Sequence, residues 1–205
     1  MRGRLWLLMV AALALVSQAF AGSSPTLTTA RLDFDYGTCS GTVVGPQTIL
    51  TAGHCLKEEE NELGFEEPPP DTMKVDGYKV TILAVVFDEA DHALVKTDFV
   101  FKDWSKISRP PPVSAVVHYW GNPDGISHVY REGYVTSYTH GAMVMDVNGF
   151  FGDSGSGIFD EDGDLVGVMS FIQIKKYNGL LFRLMGAYPL EFTPLQYAMM
   201  GVVAP

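Results

Sequence analysis

The sequence predicts an all-β fold in two halves with a short C-terminal helix, and three observations carry that prediction. Of 205 residues, 47% are hydrophobic and only 19% charged, and 21 Gly and 12 Pro are spread along the chain without forming a repeat. That is the composition of a packed protein made of many short strands and tight turns. Short β-branched runs recur between turn residues. A proline run, Arg109-Pro110-Pro111-Pro112, divides the chain near its middle.

The N-terminus reads as an export signal. Arg2 and Arg4 precede an apolar stretch from Leu5 to Val16, followed by Ala19-Phe20-Ala21, with small residues where a signal peptidase cuts. The stretch is shorter than the roughly 20 residues that a spanning helix needs. Residues 1–21 are therefore expected to be removed, leaving a mature chain that starts at Gly22. Without Arg2 and Arg4, 12 basic residues face 24 acidic ones, a net charge of −12. Such a surface repels nucleic acid and anionic lipid, so neither is an expected partner, and no membrane association is expected once the signal is gone. Export also places Cys39 and Cys55, the two cysteines of the chain, in an oxidising compartment where a disulfide is expected; two buried free thiols are the alternative.

The first half, residues 22–108, opens with a polar lead-in. Its strands are expected at Thr42-Val43-Val44, Thr48 to Thr51, Val80 to Phe87 and Ala93-Leu94-Val95. Between them, Lys57 to Asp71 combines six glutamates with three consecutive prolines and reads as a solvated loop; a calcium site is the sharper alternative, but the spacing fits no defined calcium loop. Residues 109–112 form a stiff linker. In the second half, residues 113–205, strands are expected at Val113 to Trp120, Val129 to Thr139 with a turn at Glu132-Gly133, Ala142 to Val147, Gly157 to Phe159 and Leu165 to Phe171. Asp160 to Asp164 reads as a hairpin turn. Thr193 followed by Pro194 marks the start of a terminal helix.

Three segments carry chemistry: Thr51-Ala52-Gly53-His54-Cys55, Asp91-His92-Ala93-Leu94-Val95 and Gly152-Asp153-Ser154-Gly155. A serine hydroxyl attacks a carbonyl at neutral pH only if a base takes its proton. Histidine suits that task, and a buried carboxylate is needed to fix its tautomer. Glycines beside the serine leave backbone N–H groups open to a developing oxyanion. Asp88 and Glu89 compete with Asp91 for the carboxylate role, and Asp91 is preferred for its place before a strand. His92, His118, His128 and His140 read as surface or satisfied structural histidines, and no metal-ligand spacing or cofactor motif is present.

In these blocks, with their order His, Asp, Ser, the chain resembles the trypsin-like, or chymotrypsin-fold, serine proteases over roughly Thr38 to Phe171. The resemblance implies two six-stranded antiparallel β-barrels with the site between them. It implies His54 as general base, Asp91 as its orienting carboxylate, Ser154 as nucleophile, the N–H groups of Gly152 and Ser154 as oxyanion hole, and a Cys39–Cys55 disulfide. Ser170 resembles the serine that bonds the triad aspartate, and its neighbours the strand that pairs with substrate. Phe150 and Phe151 are expected near the cleft. Asn148 falls at the base of the specificity pocket, where an aspartate would select Arg or Lys, so trypsin-type specificity is not expected. Met169 stands where glutamate-specific relatives carry a histidine, which argues against strict glutamate specificity. In zymogen-activated members the equivalent of Asp153 pairs with a newly cut N-terminus; no suitable cleavage sequence precedes Cys39, so Asp153 is expected to have another partner. A secreted serine endopeptidase acting on proteins or peptides is the expected function, and a catalytically inactive binding protein on the same scaffold is the alternative.

Overall fold

A computed structural model describes residues 24–57 and 68–205, apart from the side chains at 175, 177 and 180–182. The expected export signal and the glutamate-rich part of the 57–71 loop lie outside the described residues. After a single helical turn, α1 (Pro25–Thr28), six strands form the first unit: β1 (Thr29–Phe34), β2 (Gly37–Gly45), β3 (Thr48–Ala52), β4 (Thr72–Val75), β5 (Tyr78–Phe87) and β6 (His92–Thr97). Their order, β1-β2-β3-β6-β5-β4, closes where Leu32 of β1 pairs with Val75 of β4. Every residue of β3 is buried because both of its faces are covered. Ile49 points into its own barrel with Leu32, Val43, Val80, Ala93 and Val95, while Leu50 and Leu94 point out of it into the layer between the two units. That double burial explains the continuous apolar runs of β3 and β6, where a half-exposed strand would alternate.

The second unit contains β7 (Val116–Gly121), β8 (Val129–Thr139), β9 (Ala142–Asp146), β10 (Gly157–Phe159), β11 (Leu165–Val168), β12 (Phe171–Tyr177) and β13 (Leu180–Ala187). The sheet order is β11-β10-β7-β8-β9-β13-β12. Its two end strands, β11 and β12, are separated in sequence by only Met169 and Ser170, so the sheet bends round on itself through the chain. Counted as one broken strand, they make this a ring of six, and the fold is the two-barrel, chymotrypsin-like architecture. Val117, Tyr119, Val135, Met145, Ile158 and Met185 fill its interior.

A third apolar cluster joins the units: Leu50 and Leu94 from the first, Phe159, Leu165 and Val168 from the second, and Phe192, Tyr197 and Met200 from the C-terminal segment. The terminal helix, α2 (Pro194–Met200), begins with a capping box in which Thr193 and Gln196 satisfy each other's backbone N–H groups. Such a cap is worth about 1 kcal/mol. The helix crosses back to the first barrel, where Thr48 Oγ1 donates to Met200 O at 2.5 Å.

Two local expectations fail. The Glu132-Gly133 pair is not a turn: β8 runs unbroken through it, with Glu132 paired to His118 and Gly133 to Val117. The glycine is there for close approach, since a Cβ on Gly133 would lie 2.1 Å from Asp146 O of the next strand. The lead-in is also more ordered than its composition suggests, since residues 29–34 are β1 and pair along their whole length with β2. Cys39 and Cys55 are disulfide-bonded. Among the described residues, no helix is long and apolar enough to cross a membrane, and no cluster of His, Cys, Asp and Glu could hold a metal ion.

Candidate active site

His54 lies in a 3-10 turn, Gly53–Leu56, that continues directly from β3. The register of β3 against β6 pairs Ala52 with His92, which brings Asp91 beside Gly53 and His54. Three bonds fix the pair: Gly53 N donates to Asp91 O at 2.7 Å, His54 N donates to Asp91 Oδ1 at 2.8 Å, and His54 Nδ1 lies 2.7 Å from Asp91 Oδ2. With the carboxylate ionised, Nδ1 carries the proton and the lone pair is left on Nε2, the tautomer a general base requires. The expectation of a buried carboxylate needs correction. The side chains of His54 and Asp91 are 46% and 31% exposed, because the turn carrying them sits at the rim of the barrel. Asp88, weighed as a competitor, takes no part in this pair; it lies fully buried against His92.

Ser154 is brought to the same cleft by a loop that the first barrel holds in place. Ser40 N of β2 donates to Ser154 O, and Ser40 Oγ donates to Gly152 O, both at 2.8 Å. Ser40 Oγ in turn accepts from Asn122 N and Nδ2 at 3.1 and 2.8 Å. Asp124 N then donates to Phe151 O at 2.8 Å, closing the cradle. Gly152 has φ +97°, and a Cβ there would lie 2.4 Å from Asn122 O, so only glycine fits. Among the described residues, neither the N–H of Gly152 nor that of Ser154 has a protein acceptor, which leaves both open to an anionic oxygen. Ser154 Oγ likewise has no hydrogen-bond partner among them.

Asp153 has the other partner that its sequence context calls for. Its Oδ2 accepts from Phe150 N at 2.7 Å and from Arg131 at 2.9 Å, with Tyr119 Oη at 3.3 Å. The carboxylate is wholly buried, and the Arg131 side chain is 18% exposed. Burial pushes the Asp153 carboxyl above its ordinary value, against the pull of Phe150 N–H, Arg131 and Tyr119. Arg131 and Tyr119 were not legible as site residues. They face each other on β8 and β7, a pairing that depends on strand register.

A cleft of about 820 Å³ runs past the disulfide, lined among others by Phe34, Tyr36, His54, Lys57, Phe151 and Ser154. Phe151 is 78% exposed. Asn148 and Ser170 are not part of its lining. Asn148 is exposed, and its carbonyl accepts from Tyr119 Oη at 2.5 Å. Ser170 does not bond Asp91: its hydroxyl donates to Val168 O at 2.8 Å and meets His92 Nε2 at 3.2 Å. The reason is that His92 occupies the interior position next to Asp91 and reaches Ser170 first.

The family model of the trypsin-like peptidase domain matches residues 39–168. No curated protein matches the sequence. Among solved structures, the chain is similar to a Glu endopeptidase determined in complex with MPD, at 19% identity and TM-score 0.64, covering 82% of this chain and 86% of that one. It is also similar to the Rv3671c protease of M. tuberculosis in its active form, at 15% identity and TM-score 0.67, covering 88% of this chain and 84% of that one. At those identities the likeness concerns the fold, while the family match spans well over half of the sequence. With both barrels in place and the histidine, aspartate and serine gathered between them, the chain belongs to the trypsin-like peptidase family.

Proposed function

We propose that this protease is a secreted serine endopeptidase that works through an acyl-enzyme. Ser154 Oγ attacks the scissile carbonyl while His54 Nε2 takes its proton; the C–N bond then breaks as His54 returns the proton to the leaving amine. Water, deprotonated by the same nitrogen, hydrolyses the ester and regenerates Ser154. Asp91 orients His54 and stabilises the imidazolium, and the N–H groups of Gly152 and Ser154 take up the oxyanion. The observation that carries this reading is the 2.7 Å contact between His54 Nδ1 and Asp91 Oδ2, with His54 and Ser154 lining one cleft.

Arg131 supplies Asp153 with a cation from within the fold, so the oxyanion loop needs no newly cut N-terminus to set it. The enzyme is therefore active once exported, freed of residues 1–21 and oxidised, with barrels at 22–108 and 113–205 joined by the 109–112 linker. Its specificity is not of the trypsin type, since the position where an aspartate would select Arg or Lys is the uncharged Asn148, and Met169 does not supply the histidine of a glutamate pocket. Substrates carry an apolar or small polar residue before the scissile bond. A fluorophosphonate probe tests the reading: it labels oxidised wild-type protein, and labelling disappears in Ser154→Ala and His54→Ala. An unlabelled wild type would instead support a binding protein on a protease scaffold.

A further inference from the structure

A second carboxylate–imidazole–hydroxyl chain lies inside the molecule, and no step of the proposed reaction uses it. His92 Nδ1 stands 2.8 Å from Asp88 Oδ2, with both side chains fully buried, and His92 Nε2 stands 3.2 Å from Ser170 Oγ. The protons of this chain can be counted. Ser170 has a single hydroxyl proton, which goes to Val168 O at 2.8 Å. The hydroxyl therefore meets Nε2 as an acceptor, and Nε2 carries a proton. Asp88 receives four donors: Ala90 N at 3.0 Å and His92 N at 2.8 Å on Oδ1, and Glu191 N at 2.9 Å and His92 Nδ1 on Oδ2. A carboxyl surrounded by donors in this way is ionised, so Nδ1 carries a proton too.

We infer that His92 is a buried imidazolium, and that Asp88, His92 and Ser170 together form a positioning device locking the Asp91 turn of the first barrel to the nucleophile loop of the second. This rests on the proposed serine-protease reading of the site.

The first link is the turn itself. Asp91 is left-handed, with φ +69°, a conformation that costs a non-glycine residue about 1–2 kcal/mol. It is held there because the N–H groups on either side, those of Ala90 and His92, both end on Asp88 Oδ1, and Asp88 N donates to His92 O at 3.1 Å. The second link is Ser170. Its neighbour Met169 exchanges bonds with the loop after the nucleophile: Gly155 N donates to Met169 O and Met169 N to Ser156 O, both at 2.8 Å. The imidazolium thus stands between the segment that aims Asp91 at His54 and the segment that aims Ser154.

The groups around His92 come from its own turn and from the C-terminal segment. Asp88 faces it directly, and Asp91 adjoins it with its carboxylate committed to His54. From the C-terminal segment come the N–H of Glu191, the Phe192 ring at 6.5 Å and, from α2, Tyr197. The Tyr197 hydroxyl is pushed up to about 12, by burial first and then by the Asp88 charge, so it stays neutral. Burial pushes the Asp88 carboxyl up, but His92 and the surrounding N–H groups outweigh it and hold it below its ordinary value.

Nitrogen NMR of the oxidised full chain labelled at histidine tests this directly. Both ring nitrogens of His92, assigned by their disappearance in His92→Gln, are expected to be protonated. A neutral ring with one protonated nitrogen overturns the proposal. In Asp88→Asn, which keeps shape and backbone acceptor but removes the charge, the ring is expected to become neutral. In the same variant kcat should fall roughly 10- to 100-fold, the scale of a small misplacement at a catalytic group, with KM within about twofold. An unchanged kcat in a folded variant also overturns it. The ring signature is read without turnover, so an enzyme that fails to label removes the protease reading and leaves the charge state of His92 to be judged on its own.

Discussion

His54–Asp91 and His92–Asp88 are the same two side chains joined through the same ring nitrogen, at 2.7 and 2.8 Å, and they are carried by adjoining residues at the start of β6. One pair is open to the cleft and the other has no exposure at all. The difference teaches what burial does to an identical contact. At the rim, the imidazole is open to water and, in the proposed reaction, to substrate. Inside, every lone pair and proton already has a partner, so the pair holds its state and supplies rigidity. Sequence neighbours separate in this way because Asp91 ends the turn at the rim, whereas His92 begins β6, which is covered on both faces.

The comparison breaks most sharply if Asp91 proves dispensable. Asp91→Asn keeps the size of the side chain but favours the wrong tautomer of His54, and kcat on a peptide substrate is expected to fall on the order of 10⁴-fold with little change in melting temperature. Asp88→Ala should do the opposite in kind, because it leaves His92 buried and unpaired: urea unfolding is expected to show a loss of about 3–5 kcal/mol. The pH dependence follows from the same carboxylate. The folded Asp88 sits below its ordinary value, so its contribution to stability is present above that ordinary value and is lost as pH falls through the lower, folded one. Asp153 runs the other way, since the fold raises its carboxyl and stability is lost as pH rises through the raised value. The acid limb of the stability curve should therefore flatten in Asp88→Ala. The smallest effect is expected at the disulfide beside the rim pair. It closes a loop of 16 residues, and replacing both cysteines with alanine should cost about 3 kcal/mol by the chain-entropy account, read from the same unfolding curves.

Much of the architecture could be read from local pattern. The runs of β3, β5 and β6, the bounds of β8 though not its continuity, and the Thr193-Pro194 start of α2 are encoded within each segment, by β-branched residues, turn residues and a cap. The misreadings came where a residue's role depends on a distant strand. Gly133 looks like a turn residue until Asp146 O is seen pressed against it, and β1 looks like a polar lead-in until β2 and β4 pair with both of its edges.

The site divides along the same line. By itself the sequence determined which residues could do the chemistry, since His54, Asp91 and Ser154 each stand in a motif a few residues long, and it determined that Cys39 had only Cys55 to pair with. Tertiary structure alone decided that Asp153 is answered by Arg131 and Tyr119, that Ser170 meets His92 instead of Asp91, and that one histidine–carboxylate pair is wet while its neighbour is dry. The physical reason is that the partner and the burial of a charge are set by strand register and by packing between barrels, which join residues far apart along the chain and leave no mark in the residues flanking either one.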